Sequence, residues 1–164
     1  MAGVYGVMAV GIEALFEVEY VRLVRSLGVA FDAESAADAV QEAFIRADRD
    51  WATIGSMSDP AGWVRRVALN RLLNGHRDRA RRAAILATVR AVPDADLTAD
   101  LIDLRRAVAS LPDRMRAALC LHYLAGMPVR DVALALEVSE GTVKSNLHDA
   151  RRRLRERLEE VSDA

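Results

Sequence analysis

The chain has 164 residues, enough for one domain or two small ones, with 52% apolar and 29% charged residues. That balance excludes a disordered segment, and an aromatic content of only 5% with little β-branched alternation argues for an all-helical protein. A single cysteine, Cys120, excludes an internal disulfide framework and fits a reducing cytoplasm. The net charge of -1 speaks against a general nucleic-acid binder, but the distribution of that charge points the other way. Glu13–Asp50 holds nine acids and four bases, net -5. Arg65–Arg90 holds eight arginines and one acid, net +7, and Thr142–Leu158 six bases and two acids, net +4. An acidic stretch beside two basic ones predicts separate partners, one basic and one polyanionic.

Residues 1–12 are apolar but short and lack a basic leader, so they make a poor signal peptide and cannot span a bilayer. No membrane insertion is expected, and Met8 is an alternative start to Met1. Glu13 to Leu27 reads as a helix with Leu15, Phe16, Val18, Leu23 and Val24 as its apolar positions and Gly28 as its stop. Asp32 can cap a second helix running to about Trp51, whose Ala37, Val40, Phe44, Ala47 and Trp51 keep a helical spacing. Asp38, Gln41, Glu42 and Arg46 fall on its other side. They are either a solvated face or a patch that docks on a basic coiled coil.

Thr53–Ser58 is a small polar loop, after which Asp59 and Pro60 supply the cap and first position of a third helix. Trp63, Val64, Val67, Ala68 and Leu72 form its apolar stripe, with Arg65, Arg66, Asn70, Arg71 and Asn74 elsewhere on the cylinder. Trp63 at this spacing reads first as a core residue. The arginines repel one another unless a polyanion neutralises them, and Asn and Arg beside a small loop suit a grip on single-stranded DNA. Residues 83–99, with Pro93, carry no sustained apolar period and read as a linker. Beyond it come a helix ending near Leu111 and another over Pro112–Leu124 that Gly126 terminates.

Pro128–Leu158 closes the chain as two helices around a tight turn. Val129, Val132, Ala133 and Leu136 define the first, and Val143, Leu147, Ala150, Leu154 and Leu158 the second. Between them, Ser139-Glu140-Gly141 is expected to break the helix, the hydroxyl capping and the Gly free to take an unusual backbone angle. Thr142, Lys144, Ser145 and Asn146 then gather at the N-terminus of a basic helix, as in a helix-turn-helix entering the DNA major groove. His76, His122 and His148 are scattered over separate helices. No metal-ligand spacing, Gly-rich phosphate loop or Ser/His/Asp arrangement is visible, so neither catalysis nor a cofactor is expected.

Together these segments resemble the extracytoplasmic-function sigma factors of bacterial RNA polymerase. DAESAADAVQEAFIRA resembles region 2.2 of that family, DPAGWVRRVALNRLLNGHRDRARR regions 2.3 and 2.4, and LPDRMRAALCLHYLAGMPVRDVALALEVSEGTVKSNLHDARRRL region 4. The resemblance implies two small helical domains, residues 13–82 and 100–160, joined by the linker 83–99. It implies that Asp38, Gln41 and Glu42 dock on the clamp helices of the polymerase largest subunit. Minus-ten recognition and melting would fall to Ser56, Met57, Trp63, Arg66, Asn70, Arg71 and Arg77. Minus-thirty-five recognition would fall to Thr142, Lys144, Ser145, Asn146, His148, Arg151 and Arg152. Promoter DNA, core polymerase through its clamp helices and flap, and an anti-sigma factor are the partners implied, in the cytoplasm. The chain departs from the family pattern at Glu137, where a Gly is usual, and at Asn146 and Asp149, where bases are common. A helix-turn-helix regulator that does not bind core polymerase is the alternative, against which the arginine-rich Asn70–Arg82 stretch speaks.

Overall fold

The computed structural model describes residues 11–83 and 99–162, and all regular elements among them are α-helices. The expectations for residues 1–10 and for most of the linker, 84–98, lie outside the described residues.

The first helix, α1 (Ile12–Ala30), does not stop at Gly28 as expected but runs on to Ala30. Leu27 and Ala30 are buried on either side of the glycine, and that packing outweighs its cost of about 1 kcal/mol in a helix interior. The apolar face also differs from expectation. Leu15 and Leu23 are buried, whereas Phe16 and Val18 are exposed, because the inward stripe runs Leu15, Glu19, Leu23, Ser26, Leu27, Ala30. Phe16 is not idle: it stacks on Tyr20 at 4.5 Å and meets Phe44 edge-on at 5.0 Å.

Helix α2 (Ala33–Arg49) starts where the Asp32 carboxylate accepts a 2.7 Å hydrogen bond from the Ser35 N–H. Its small inward residues, Ala36, Ala39, Ala43 and Ala47, let α1 and α4 approach closely on either side of Val40 and Phe44. A short α3 (Trp51–Ile54) follows instead of a continuous helix to Trp51, so Thr53 and Ile54 are helical and only residues 55–58 are turn. Helix α4 (Pro60–Ala83) begins as its sequence predicts: Asp59 accepts a 2.8 Å bond from the Gly62 N–H and Pro60 takes the first position.

The second half consists of α5 (Ala99–Ala109), α6 (Asp113–Tyr123), α7 (Val129–Leu136) and α8 (Glu140–Ser162). Gly126, at φ +65°, turns the chain after α6, and the His122 ring nitrogen closes the turn 2.7 Å from the Met127 carbonyl. The break between α7 and α8 falls earlier than Ser139-Glu140-Gly141, for Glu140 and Gly141 are already helical. The residue that takes the left-handed conformation is Glu137, at φ 56° and ψ 45°. It closes α7 with a Val138 N–H bond to the Ala133 carbonyl, the arrangement in which Gly is favoured. Ser139 then caps α8, accepting from the Thr142 N–H at 3.1 Å.

The two halves pack on one another, α6 against α1 and α7 against α4, and their buried side chains form one continuous core.

Candidate nucleic-acid and polymerase interfaces

Helix α4 is covered on two sides, by α2 and by α7. At about 100° per residue, Trp63, Arg66, Asn70 and Arg77 fall within about 60° of one another on the third side. Asn70 and Arg77 are exposed, and Trp63 and Arg66 are half-buried. Trp63 thus packs against the core while keeping part of its surface open to solvent. Ser56 and Met57 are exposed on the turn after α3, which is held by the Ser56 hydroxyl donating 2.7 Å to the Thr53 carbonyl. Arg71 does not share that side. It turns toward α2 and lines a cleft of about 620 Å3 with Asp38, Arg46, Asn70, Asn74 and Arg79. There its charge, like those of Arg46 and Arg49, helps hold the Glu42 carboxyl below its usual range, after the larger effect of the hydrogen bond from Arg46.

Asp38, Gln41 and Glu42 stand together on the outer side of α2, opposite its alanine seam. Asp38 borders the α2–α4 cleft, and Gln41 borders a second groove with Phe16 of α1 and with Phe44 and Ile45 of α2 itself. The patch is therefore a ridge between two depressions. Glu42 accepts from Arg46 Nε at 3.0 Å, one turn along the same helix.

Helix α8 buries Val143, Leu147 and Ala150 and turns Lys144, Ser145, His148 and Arg152 outward within about 100°. Asn146 is half-buried at the flank of that surface. Asp149 stands beside it with Arg152 3.5 Å away, so much of its repulsion toward phosphate is offset. Thr142 is engaged with the cap, its hydroxyl 2.9 Å from that of Ser139. Arg151 leans back, donating 3.3 Å to the Leu147 carbonyl and bordering an apolar groove with Leu119, Tyr123, Leu124 and Leu154. Of the seven residues expected at the upstream element, four face outward together and three lie at its margin.

Sequence patterning alone misses the charges on the inner sides. Arg65 sits among the other arginines along the chain, yet it is buried, and it grips buried Glu19 with two bonds of 3.0 and 2.7 Å. Burial works against the Arg65 charge, but the bond and field of Glu19, with Asp59 and Asp131, outweigh it and move its pKa up. A signal was present. Glu19 stands four residues from both Leu15 and Leu23, on the apolar stripe, and Arg65 stands four before Leu69 and seven before Leu72. Cys120 is buried in the second half, and desolvation pushes its thiol up to about 11 against the opposing charge of Arg116. Such a thiol is inert.

The comparisons with known proteins span both halves. The sigma-70 region 2 family matches residues 18–82, and the sigma-70 region 4 family matches residues 101–154. Over 144 residues the chain is 33% identical to the ECF RNA polymerase sigma factor SigL of Mycobacterium tuberculosis, covering 83% of this chain and 81% of that one. It is 36% identical over 127 residues to SigM of the same species, covering 74% of this chain and 63% of that one. Among solved structures, the sigma factor RpoE of Bartonella quintana, in complex with the anti-sigma factor NepR, superposes with a TM-score of 0.71 at 24% identity. That likeness of fold covers 90% of this chain and 95% of the other. With both regions matched in order and curated relatives a third identical over most of their length, the chain belongs to the extracytoplasmic-function sigma factors of the sigma-70 family.

Proposed function

We propose that this sigma factor divides its work between the outer sides of three helices, α2 for polymerase, α4 for the minus-ten strand and α8 for the minus-thirty-five element. As a sigma factor it acts with core RNA polymerase in promoter recognition and transcription initiation. The observation that carries the division is that Trp63, Arg66, Asn70 and Arg77 share one open side of a helix that packs against α2 and α7 on others. Trp63 offers a stacking platform, Arg66 and Arg77 offer charge to the strand backbone, and Ser56 and Met57 border the space for an extruded base. Residues 13–82 form the polymerase-binding and melting domain, 83–99 the linker, and 100–160 the upstream-reading domain.

On α2, Asp38, Gln41 and Glu42 dock on the clamp helices of the largest polymerase subunit, where a carboxylate ridge suits a basic coiled coil. On α8, Lys144 and Arg152 meet phosphate while Ser145 and Asn146 reach base edges, Asn146 favouring adenine. The apolar groove bordered by Leu119, Tyr123, Leu124 and Leu154 suits an apolar helix, as the polymerase flap or an anti-sigma factor would offer. The protein carries out no catalysis of its own and works in the cytoplasm beside the polymerase. No helix among the described residues is long and apolar enough to cross a membrane.

Run-off transcription with core polymerase and a library of genomic promoters tests the assignment. Transcripts starting at a restricted promoter set are expected, and the absence of any promoter-dependent product with active core polymerase would sink it. A regulator that binds DNA alone would fail to pull down core polymerase, whereas loss of that pull-down on Asp38→Arg is the outcome expected here.

A further inference from the structure

We infer that the cleft between α2 and α4 is a binding site for a small phosphorylated ligand, of the size and chemistry of a nucleoside polyphosphate. Its volume of about 620 Å3 lies within the range of small-molecule sites, roughly 300 to 1,000 Å3. On the α2 side it is lined by Ser35, Asp38 and Arg46, which fall within about 80° of one another on that helix. The α4 side brings Arg71, Arg79 and two amides, Asn70 and Asn74.

Charge decides what such a cleft holds. Three arginines stand there against one carboxylate, that of Asp38. Arg79 reaches across to α2 and marks one end, donating 2.6 Å to the Ser35 hydroxyl with Asp32 3.4 Å away. Arg46 marks the other end, tethered at 3.0 Å to Glu42. Arg71 stands eight residues before Arg79, about 12 Å along α4, and its field reaches the Glu42 carboxyl at the Arg46 end. Of the three, only Arg71 makes no hydrogen bond or ion pair among the described residues. Arg46 and Arg71 thus offer at one end the forked donors that phosphate oxygens take. Asn70 and Asn74, one turn apart, present both donors and acceptors, as the edge of a base requires. The Asp38 carboxylate only accepts, so it suits a sugar hydroxyl and not a phosphate.

A second observation is the bare backbone at Gly75. It lies in the interior of α4, where glycine costs about 1 kcal/mol against alanine, and it lines the same cleft. A Cβ there would meet nothing within 4 Å, so no neighbouring helix requires its absence. What the missing side chain leaves is room for a ligand to approach the backbone. Occupancy bears on the strand as well, because Asn70 belongs both to the cleft and to the open side of α4 with Trp63, Arg66 and Arg77. A ligand that engages Asn70 withdraws it from the minus-ten strand, so the site is placed to tune strand binding. That consequence rests on the promoter reading above, whereas the ligand site itself does not.

Calorimetric titration of the full chain in phosphate-free buffer tests the site, with ATP, pyrophosphate and adenosine as probes. ATP is expected to bind, pyrophosphate to bind more weakly and adenosine to give no heat, since the arginines carry the affinity. Arg71→Gln, at an exposed position, should weaken ATP binding about tenfold. Arg157→Gln, the same loss of charge on exposed α8, should leave it unchanged. Gly75→Leu should fill the cleft and abolish binding while raising thermal stability, which distinguishes a blocked site from a misfolded chain. No binding of ATP or pyrophosphate, equal losses in Arg71→Gln and Arg157→Gln, or full binding to Gly75→Leu would overturn the site. If ATP fails to bind but Gly75→Leu weakens the binding of single-stranded DNA, the cleft belongs to the strand path and the small-ligand site is overturned. A labelled minus-ten strand should bind the full chain about threefold more weakly at saturating ATP, and Arg71→Gln should remove that sensitivity. Strand binding indifferent to bound ATP would overturn the tuning role. Failure of the strand to bind at all, with ATP binding intact, would count against the promoter assignment and leave the ligand site standing.

Discussion

Helices α4 and α8 are both arginine-rich, and their sequences suggest the same role for both. Their surroundings divide them. Helix α8 leans on the second half through one apolar stripe and leaves most of its circumference in water, so nearly all its charges are available to a partner. Helix α4 is held on two sides, and its arginines are sorted by the neighbour each one meets. Arg65 is buried against Glu19, Arg71 and Arg79 line the cleft with α2, and Arg66 and Arg77 face outward. A run of like charges is thus no single feature. What each residue does follows from which element covers it.

The sharpest test of that sorting is Arg65→Ala. It leaves Glu19 buried without its main partner and is expected to cost about 3 kcal/mol or more in urea unfolding, as breaking a buried pair does. Replacing both members, Glu19→Leu with Arg65→Met, should recover most of that loss. If Arg65→Ala unfolded like the wild type, the burial argument would be wrong. Next in size is the contrast between Arg66→Ala and Arg71→Ala, which the sequence alone treats as equivalent melting variants. Arg66→Ala is expected to slow open-complex formation about tenfold, about 1.4 kcal/mol. Arg71→Ala should slow it far less, and permanganate footprinting of the opened strand distinguishes the two. Equal defects would place both arginines on one working surface and defeat the comparison.

At the entrance to α8 the expected effect is smaller. Glu137→Gly relieves a left-handed residue and should stabilise the chain by about 1 kcal/mol in thermal unfolding. A destabilised variant would mean that the Glu137 side chain contributes more than its backbone costs. The least effect belongs to Asp149→Asn. Removing this charge also frees Arg152, and the affinity of the chain for an upstream-element duplex should rise about threefold, with a steeper salt dependence. An unchanged salt slope would show that neither residue meets phosphate.

Much of this molecule is legible in its sequence. The caps at Asp32, Asp59-Pro60 and Ser139 and the Gly126 stop are local devices, each completed by a neighbour a few residues away. The helical period of α2, α4, α7 and α8 is equally local, which is why it can be read. Gly28 misleads because a propensity of about 1 kcal/mol is set against burial that only the partner helices supply. Val18 misleads for the same reason, since an apolar residue on a helix is buried only if another element arrives on its side.

By itself the sequence determined the helical class, the order of the two halves, the basic character of α4 and α8 and the outward ridge of Asp38, Gln41 and Glu42. Tertiary structure alone decided that Glu19 and Arg65 pair across 46 residues, that Arg71 lines a cleft with α2, and that Arg22, His76 and Arg116 bridge the halves. The physical reason is one of range. Caps and helical periods act over three or four residues, within a single element. The fate of a charge depends on whether water or another element lies beyond it, and that is settled only when distant helices meet.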